Sequence, residues 1–429
     1  MFKIFQRFCS TSKHWSLERL TETNMLSITN LQAEQKYHYP FVWLRDNCQC
    51  PQCFNATSKS RIMDLKTNLK VKPIDIEIQR ALDTVSNDLE KSTDVIGESG
   101  TGNGGSNDVK SGDFNLNILW EDNHRSEFPL DWLIARNFTA ANRVRLDEIY
   151  RIPRIPWTSE QFPEICSKFA FEDLMTDGRA LLAWMECLAM YGVAIVDRAG
   201  VEVGALNRLA SRVGFLKRTQ YGETFRVENK PGTSNVAYLS SKLQLHTDLP
   251  YYEYKPGINM LHCIIQASDP SQGINQLTDC LAVCRHLAAN RQSVYETLSR
   301  TLVDWTDYGE DNRYRFANIH RAPVIALDAR GEVTRINFSQ PQRDSVFNAP
   351  LEEVLPWYEA FAEFADLLHD PKYLVELRLR PGEVLTFDNI RLVHGREGYT
   401  GERLLEGAYL DWDLVRSKIR ILRSELGEE

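Results

Sequence analysis

Val384-Leu385-Thr386-Phe387-Asp388-Asn389-Ile390-Arg391-Leu392-Val393-His394-Gly395-Arg396 reads as an apolar strand with a histidine near its end. Far upstream stands His246-Thr247-Asp248. On a strand, side chains at i and i+2 point to one face, so the His246 imidazole and the Asp248 carboxylate can reach the same metal ion. With His394 the set becomes two imidazoles and one carboxylate. That set leaves three coordination positions open, which suits an Fe(II) that must bind a cosubstrate and then O2. His-x-Asp alone is an ordinary surface pair. A second His well downstream, with Arg403 nine residues beyond it, changes the balance. A guanidinium is a rigid fork that matches a carboxylate, the recognition a 2-oxoglutarate tail requires. Arg403 flanks Leu404–Trp412, an expected strand that could pair beside the His394 strand.

Outward from these motifs, short strands are expected at Gly192–Val196, Ile258–Gln266, Val333–Phe338 and Glu383–Phe387. Helices are expected at Phe171–Tyr191, Val203–Val213 and Leu351–Leu368, from apolar residues at helical spacing. Many short strands braced by helices indicate a mainly β jelly-roll domain over residues 150–429. Ile152–Trp157 is an extended linker, because each proline disfavours helix in the residue before it. Residues 17–149 form a smaller β-rich unit, with strands expected at Phe41–Arg45 and Ser60–Leu69. A hairpin is expected from Asn115–Trp120 and Ser126–Phe128 about an Asp-Asn turn. Within this unit residues 83–113 are rich in Gly, Ser, Asn and Asp and hold no aromatic residue. Such a stretch cannot bury enough apolar surface to offset its ordering entropy, so it is expected to be a disordered insert.

The 429 residues favour two or three domains and are ample for a large core. Hydrophobic and charged fractions of 43% and 25% are those of an ordinary globular protein. A net charge of −9 speaks against nucleic acid as the main partner and for a cationic one. No apolar run is long enough for membrane insertion. Nine cysteines, odd in number and unevenly spread, indicate a reducing compartment. Residues 1–16 are basic and partly apolar, with no acid before Glu18. They fit a mitochondrial presequence or, equally, a basic disordered terminus of a cytoplasmic protein.

Three of the cysteines are Cys48, Cys50 and Cys53, too close together to be core packing. Three thiolates plus one imidazole make the closed tetrahedral site of structural zinc. His124 and His38 both lie in this unit and both qualify as the fourth ligand. A closed site has no room for substrate, so its role is folding.

Phe41–Cys53, Asn235–Tyr238, His246–Asp248, Gly257–Cys263, Arg335–Phe338, Phe387–Arg396 and Leu405–Asp413 together make the sequence recognisable. It resembles the gamma-butyrobetaine dioxygenases and, at a greater distance, the trimethyllysine dioxygenases, over nearly the whole chain. The resemblance implies a double-stranded β-helix core and dependence on Fe(II), 2-oxoglutarate, O2 and ascorbate. It implies that Arg403 holds the distal cosubstrate carboxylate, that Leu261 also contacts 2-oxoglutarate, and that His124 completes the zinc site. The expected reaction is C–H hydroxylation of gamma-butyrobetaine to L-carnitine, coupled to decarboxylation of 2-oxoglutarate; trimethyllysine hydroxylation is the nearest rival. A homodimer is expected.

A trimethylammonium group donates no hydrogen bond, so it is recognised by aromatic faces. The 16 Tyr, 9 Trp and 19 Phe are too many to point anywhere by themselves. Carried over from the resemblance, Tyr221, Phe225, Tyr238 and Tyr409 match the cage positions. Phe225 departs from the family Trp and is a weaker cation partner. Asn235 matches the position that meets the substrate carboxylate, where the trimethyllysine enzymes carry an acid; a neutral amide suits a carboxylate-ended substrate. Ser339 stands where the family has Asn and keeps one hydroxyl donor.

Overall fold

The computed structural model describes residues 14–81, 111–229, 239–311 and 314–427. The expected insert therefore lies outside the described residues up to position 110; Ser111–Asp113 form a 3₁₀ turn. The expected targeting segment lies outside them up to position 13, and Trp15 already opens the first strand. The chain divides into two compact units, Met1–Arg151 and Ile152–Glu429.

In the first unit the strands are β1 (Trp15–Leu20), β2 (Met25–Asn30), β3 (Gln35–Pro40), β4 (Phe54–Asn55), β5 (Ser60–Arg61), β6 (Pro73–Arg80), β7 (Phe114–Trp120) and β8 (Arg125–Pro129). The helices are α1 (Phe41–Asp46), α2 (Leu65–Asn68), α3 (Leu130–Ile134) and α4 (Ala140–Tyr150). Two three-stranded antiparallel sheets, β1-β2-β3 and β6-β7-β8, enclose the core. Along β7, Phe114, Leu116, Ile118 and Trp120 are buried and the residues between them are not, the period of two that marks a half-buried strand. β7 and β8 are the expected hairpin, with Asn123 at positive φ in its turn.

Two expected strands are not strands. Phe41–Arg45 is the start of α1: Pro40 precedes it, and Phe41, Leu44 and Arg45 are buried while Val42 faces out, a spacing of three and four that a strand cannot bury. Ser60–Leu69 pairs only over Ser60–Arg61; Asp64 then accepts from the Lys66 N–H and opens α2.

The second unit contains β9 (Lys168–Ala170), β10 (Val193–Asp197), β11 (Thr224–Val227), β12 (Leu243–His246), β13 (Ile258–Ile265), β14 (Asn275–Asp279), β15 (Val303–Asp311), β16 (Tyr314–Ala322), β17 (Ile325–Leu327), β18 (Val333–Ile336), β19 (Leu374–Leu377), β20 (Val384–Asp388), β21 (Leu392–Arg396) and β22 (Leu404–Leu410). Its helices are α5 (Phe162–Ile165), α6 (Phe171–Thr176), α7 (Gly178–Tyr191), α8 (Ala205–Val213), α9 (Cys280–Asn290), α10 (Gln292–Arg300), α11 (Leu351–Leu368) and α12 (Trp412–Leu426). One sheet runs β11-β22-β13-β20-β10-β9 and the other β12-β21-β14-β19. From β12 to β14 and again from β19 to β22 the chain alternates between the sheets, the winding of a jelly roll.

The stretch Val384–Arg396 is therefore two strands in different sheets. Asn389 is wholly buried in the turn between them, where its amide bonds backbone groups that a strand would have bonded to a neighbour. For the same reason β22 does not lie beside the His394 strand: β22 pairs with β13 and β11, while β21 pairs with β12 and β14. The helix expected over Phe171–Tyr191 is broken at Asp177, whose carboxylate caps α7 by accepting from the Arg179 N–H. Gly192 ends α7 at φ +79°, and a Cβ there would lie 2.7 Å from Leu392, so only glycine fits.

Candidate active site

His246 ends β12 and faces His394 on β21 in direct register, with ring centroids 4.3 Å apart. Asp248 lies past the end of the strand, so its aim is set by more than strand alternation. Its backbone N–H donates to Asn389 Oδ1 at 2.8 Å, and the Asn389 amide donates back to the Asp248 carbonyl at 3.0 Å. Asp248 Oδ1 then stands 3.1 Å from His246 Nε2 and 3.2 Å from His394 Nε2. Adjacent donors about 2.1 Å from an octahedral ion are about 3.0 Å apart, so these three atoms fit one face of such an ion. His246 Nδ1 is 2.8 Å from the Gln244 carbonyl, which accepts its proton and leaves the Nε2 lone pair for a metal.

Electrostatics agree with that use. Burial, then the facing His246, holds His394 below its ordinary value, so its imidazole is neutral and able to ligate. Burial opposes ionisation of Asp248, yet positive charge beside it, on His394 and His246 when they carry protons, outweighs burial and keeps the carboxyl well below the usual range; a bound cation would take that part once the imidazoles are neutral. The side chains are 11% exposed for each imidazole and 16% for the carboxylate, reachable from a pocket and removed from bulk water.

That pocket opens between the two sheets. Leu261, Ser339 and Arg403 line it together with the three donors, and so do Tyr221, Phe225 and Tyr409. Asn235 and Tyr238 lie outside the described residues. Arg403 is 3% exposed; it donates to Gln266 Oε1 at 3.2 Å and Asn275 Oδ1 at 3.3 Å, and no carboxylate among the described residues pairs with it. Burial, then neighbouring Arg396, brings its pKa down to about 10, so it remains charged. The Arg403 guanidinium also lies 5.5 Å from the Tyr399 ring centre, and a buried cation held only by neutral groups is suited to an incoming anion. The Phe225 and Tyr409 rings lie 5.1 Å apart, tilted by 30°, and Tyr409 Oη donates to Asp248 Oδ2 at 2.9 Å.

Several residues of this site have no role assigned to them by the sequence. Asn259 donates to Asp248 Oδ2 at 2.5 Å, and Tyr251, Asn275 and Arg396 line the pocket. Arg396 donates to the Leu239 and Ser241 carbonyls, while its Nε and Nη1 are buried without a partner among the described residues. Arg396 stands two residues after His394, so strand alternation gave a signal for it; Tyr251 and Asn275 gave none.

The first unit holds a second cluster. His124 Nε2 lies 3.3 Å from Cys48 Sγ and 3.5 Å from both Cys50 Sγ and Cys53 Sγ. Thiolates at about 2.3 Å and an imidazole at about 2.0 Å from a tetrahedral ion stand about 3.5 Å apart, so this set can hold one. His38 is exposed on β3 and does not belong to it. Arg45, buried on α1, donates to Cys53 Sγ at 3.3 Å and pairs with Asp122.

Residues 157–409 match the family of the taurine catabolism dioxygenase TauD, TfdA family, and residues 18–93 match the gamma-butyrobetaine hydroxylase-like N-terminal family. The chain belongs to the TauD, TfdA dioxygenases and is an enzyme of the iron(II)/2-oxoglutarate class. It is similar to the gamma-butyrobetaine dioxygenase of Homo sapiens, 36% identical over 92% of this chain and 93% of the relative. It is also similar to that of Pseudomonas sp. (strain AK-1), 28% identical over 89% and 90%. The mitochondrial trimethyllysine dioxygenase of Mus musculus is 23% identical over 97% of this chain and 92% of its own. No helix among the described residues is long and apolar enough to cross a membrane.

Proposed function

We propose that the chain hydroxylates gamma-butyrobetaine to L-carnitine, with 2-oxoglutarate converted to succinate and CO2. The observation that carries this is one cavity lined at once by a three-donor metal set, a buried arginine with no carboxylate partner among the described residues, and aromatic faces. His246, Asp248 and His394 would hold the metal; bound there, Fe(II) supplies the O2 activation that breaking an unactivated C–H bond demands. The chain's own groups do the rest. The Gln244 carbonyl keeps His246 in the ligating tautomer, Arg403 receives the distal cosubstrate carboxylate, and Leu261 packs beside it. Tyr221, Phe225, Tyr238 and Tyr409 offer π faces to the trimethylammonium group. Asn235 and the Ser339 hydroxyl meet the substrate carboxylate.

Cys48, Cys50, Cys53 and His124 serve as a structural zinc site, and ascorbate keeps the iron reduced. A mitochondrial address rests on the basic N-terminal segment; the alternative is cytoplasmic. A homodimer is the expected assembly. The test is incubation with Fe(II), 2-oxoglutarate, ascorbate and either gamma-butyrobetaine or trimethyllysine, read by mass spectrometry. Hydroxylation of gamma-butyrobetaine in preference to trimethyllysine is expected; the reverse preference overturns the substrate assignment.

A further inference from the structure

Asp307 is an acid that the reaction described so far does not use. It lies on β15, opposite Asn318 of β16. Three residues earlier Asp304 forms an ordinary two-pronged ion pair with Arg321, at 2.6 and 2.9 Å. Asp307 has no such partner: no lysine or arginine among the described residues pairs with it. Its Oδ2 accepts instead from Tyr221 Oη at 3.1 Å and from Gln220 Nε2 at 2.9 Å. Gln220 is itself fixed, accepting from Asn318 Nδ2 at 2.6 Å and Tyr252 Oη at 2.9 Å. Tyr221 and Tyr251 both line the cavity, with their hydroxyls 3.5 Å apart. One carboxylate thus stands behind two phenol rings of the cavity wall.

A phenol that donates to a carboxylate gains electron density in its ring, which strengthens the attraction of its face for a cation. The carboxylate also adds its own long-range attraction, little screened at this half-buried position. Burial, then Asp307 itself, raises the Tyr221 hydroxyl to about 12, so it remains a donor at neutral pH. Tyr409 is joined in the same way to Asp248, whose charge already faces two imidazoles. Fastening the β15–β16 hairpin would need only a hydrogen-bond acceptor at position 307; a lone charge in that place has a further effect.

We infer that Asp307 is a positioning residue for specificity: acting through Tyr221, it makes the wall select a cationic head group over a neutral one of the same shape. The inference rests on reading the cavity as a trimethylammonium site. The experiment compares gamma-butyrobetaine with its carbon isostere, 5,5-dimethylhexanoate, as substrate and competitive inhibitor of the full-length enzyme. Asp307→Asn keeps the shape and the acceptor. It is expected to raise KM for gamma-butyrobetaine about tenfold, with kcat within about twofold and isostere inhibition unchanged. Tyr221→Phe, which cuts the link and leaves the hairpin intact, should lose affinity with the same bias toward the cation. If both ligands weaken equally in both variants, or neither changes, Asp307 only fastens the hairpin and the inference fails. Should the unaltered enzyme itself show no preference for the cation over the isostere, the reading of the cavity fails along with it.

Discussion

Arg391 and Asp279 form an ion pair in which both side chains are 0% exposed. Arg391 donates to the two Asp279 oxygens at 2.9 and 2.8 Å, and to the carbonyls of Met190 and Ile155 at 2.8 and 2.6 Å. Asp279 also accepts from the N–H groups of Trp157 and Leu281. One side chain therefore joins the incoming linker, the end of α7, the end of β14 and the turn that leads into β21 and His394. Replacing Arg391 with Met keeps much of the volume and leaves a buried carboxylate without its counter-charge. Breaking such a pair costs about 3–5 kcal/mol. At roughly 2–4 °C per kcal/mol for a unit of this size, the thermal midpoint should fall by roughly 6–20 °C. Asp279→Asn removes the second charge while keeping an acceptor for Leu281, the first turn of α9. The double variant Arg391→Met/Asp279→Asn should therefore be more stable than Arg391→Met alone, with a coupling of roughly 0.5–3 kcal/mol. Thermal and denaturant unfolding of the four proteins measure the cycle. Strict additivity, or a loss below about 1 kcal/mol for Arg391→Met, would refute the claim that an uncompensated charge governs the cost.

Asp248→Ala should abolish succinate formation while leaving the fold intact, since the variant loses the only charged donor of the set; retained turnover would remove Asp248 from the metal site. At Gly407 a Cβ would lie 2.3 Å from the Phe225 ring. Gly407→Ala should therefore push that ring toward Tyr409 and weaken substrate binding, at a stability cost of roughly 1–3 kcal/mol. Phe225→Leu in the same chain should recover the stability, and a Gly407→Ala enzyme with unaltered KM would contradict the contact. Cys50→Ser should strip zinc from the protein, as read by elemental analysis, and lower the melting of the first unit; wild-type protein free of zinc would end that assignment.

The clusters legible in the sequence are those whose members are close along the chain or face each other on paired strands. Cys48, Cys50 and Cys53 sit within six residues, and His246 and His394 lie opposite each other on short strands, the second announced by an apolar run. Leu351–Leu368 was readable as one helix because its apolar spacing persists over five turns. What escaped depends on contacts between distant segments. Phe41–Arg45 has strand-forming residues, but its buried side chains follow helical spacing once Pro40 has set the entry. The turn inside Val384–Arg396 depends on Asn389 finding Asp248 and Pro256, more than a hundred residues upstream. Arg403 was tied to the cofactor on an expected pairing of β22 with the His394 strand. The two strands belong to different sheets, and Arg403 lines the cavity while bonded to Gln266 and to Asn275 of β14. Tyr251 and Asp307 carry no local mark, because their importance comes only from the place where the β15–β16 hairpin meets Tyr221.

The two oxygens of Asp248 face different companies: Oδ1 lies between the imidazoles, while Oδ2 takes Asn259 and the hydroxyl of Tyr409. For a lineage drifting toward a new substrate, this divides the wall into free and bound positions. Exchange of Tyr409 withdraws a donor from the carboxylate that orients the metal, so a gain in head-group fit there is offset by a loss in the chemistry. Neither Tyr221 nor Phe225 hydrogen-bonds to His246, Asp248 or His394, so change at these two positions is expected to avoid that toll. Substrate range is therefore expected to diverge at Tyr221 and Phe225, with Tyr409 held constant by its bond to Asp248.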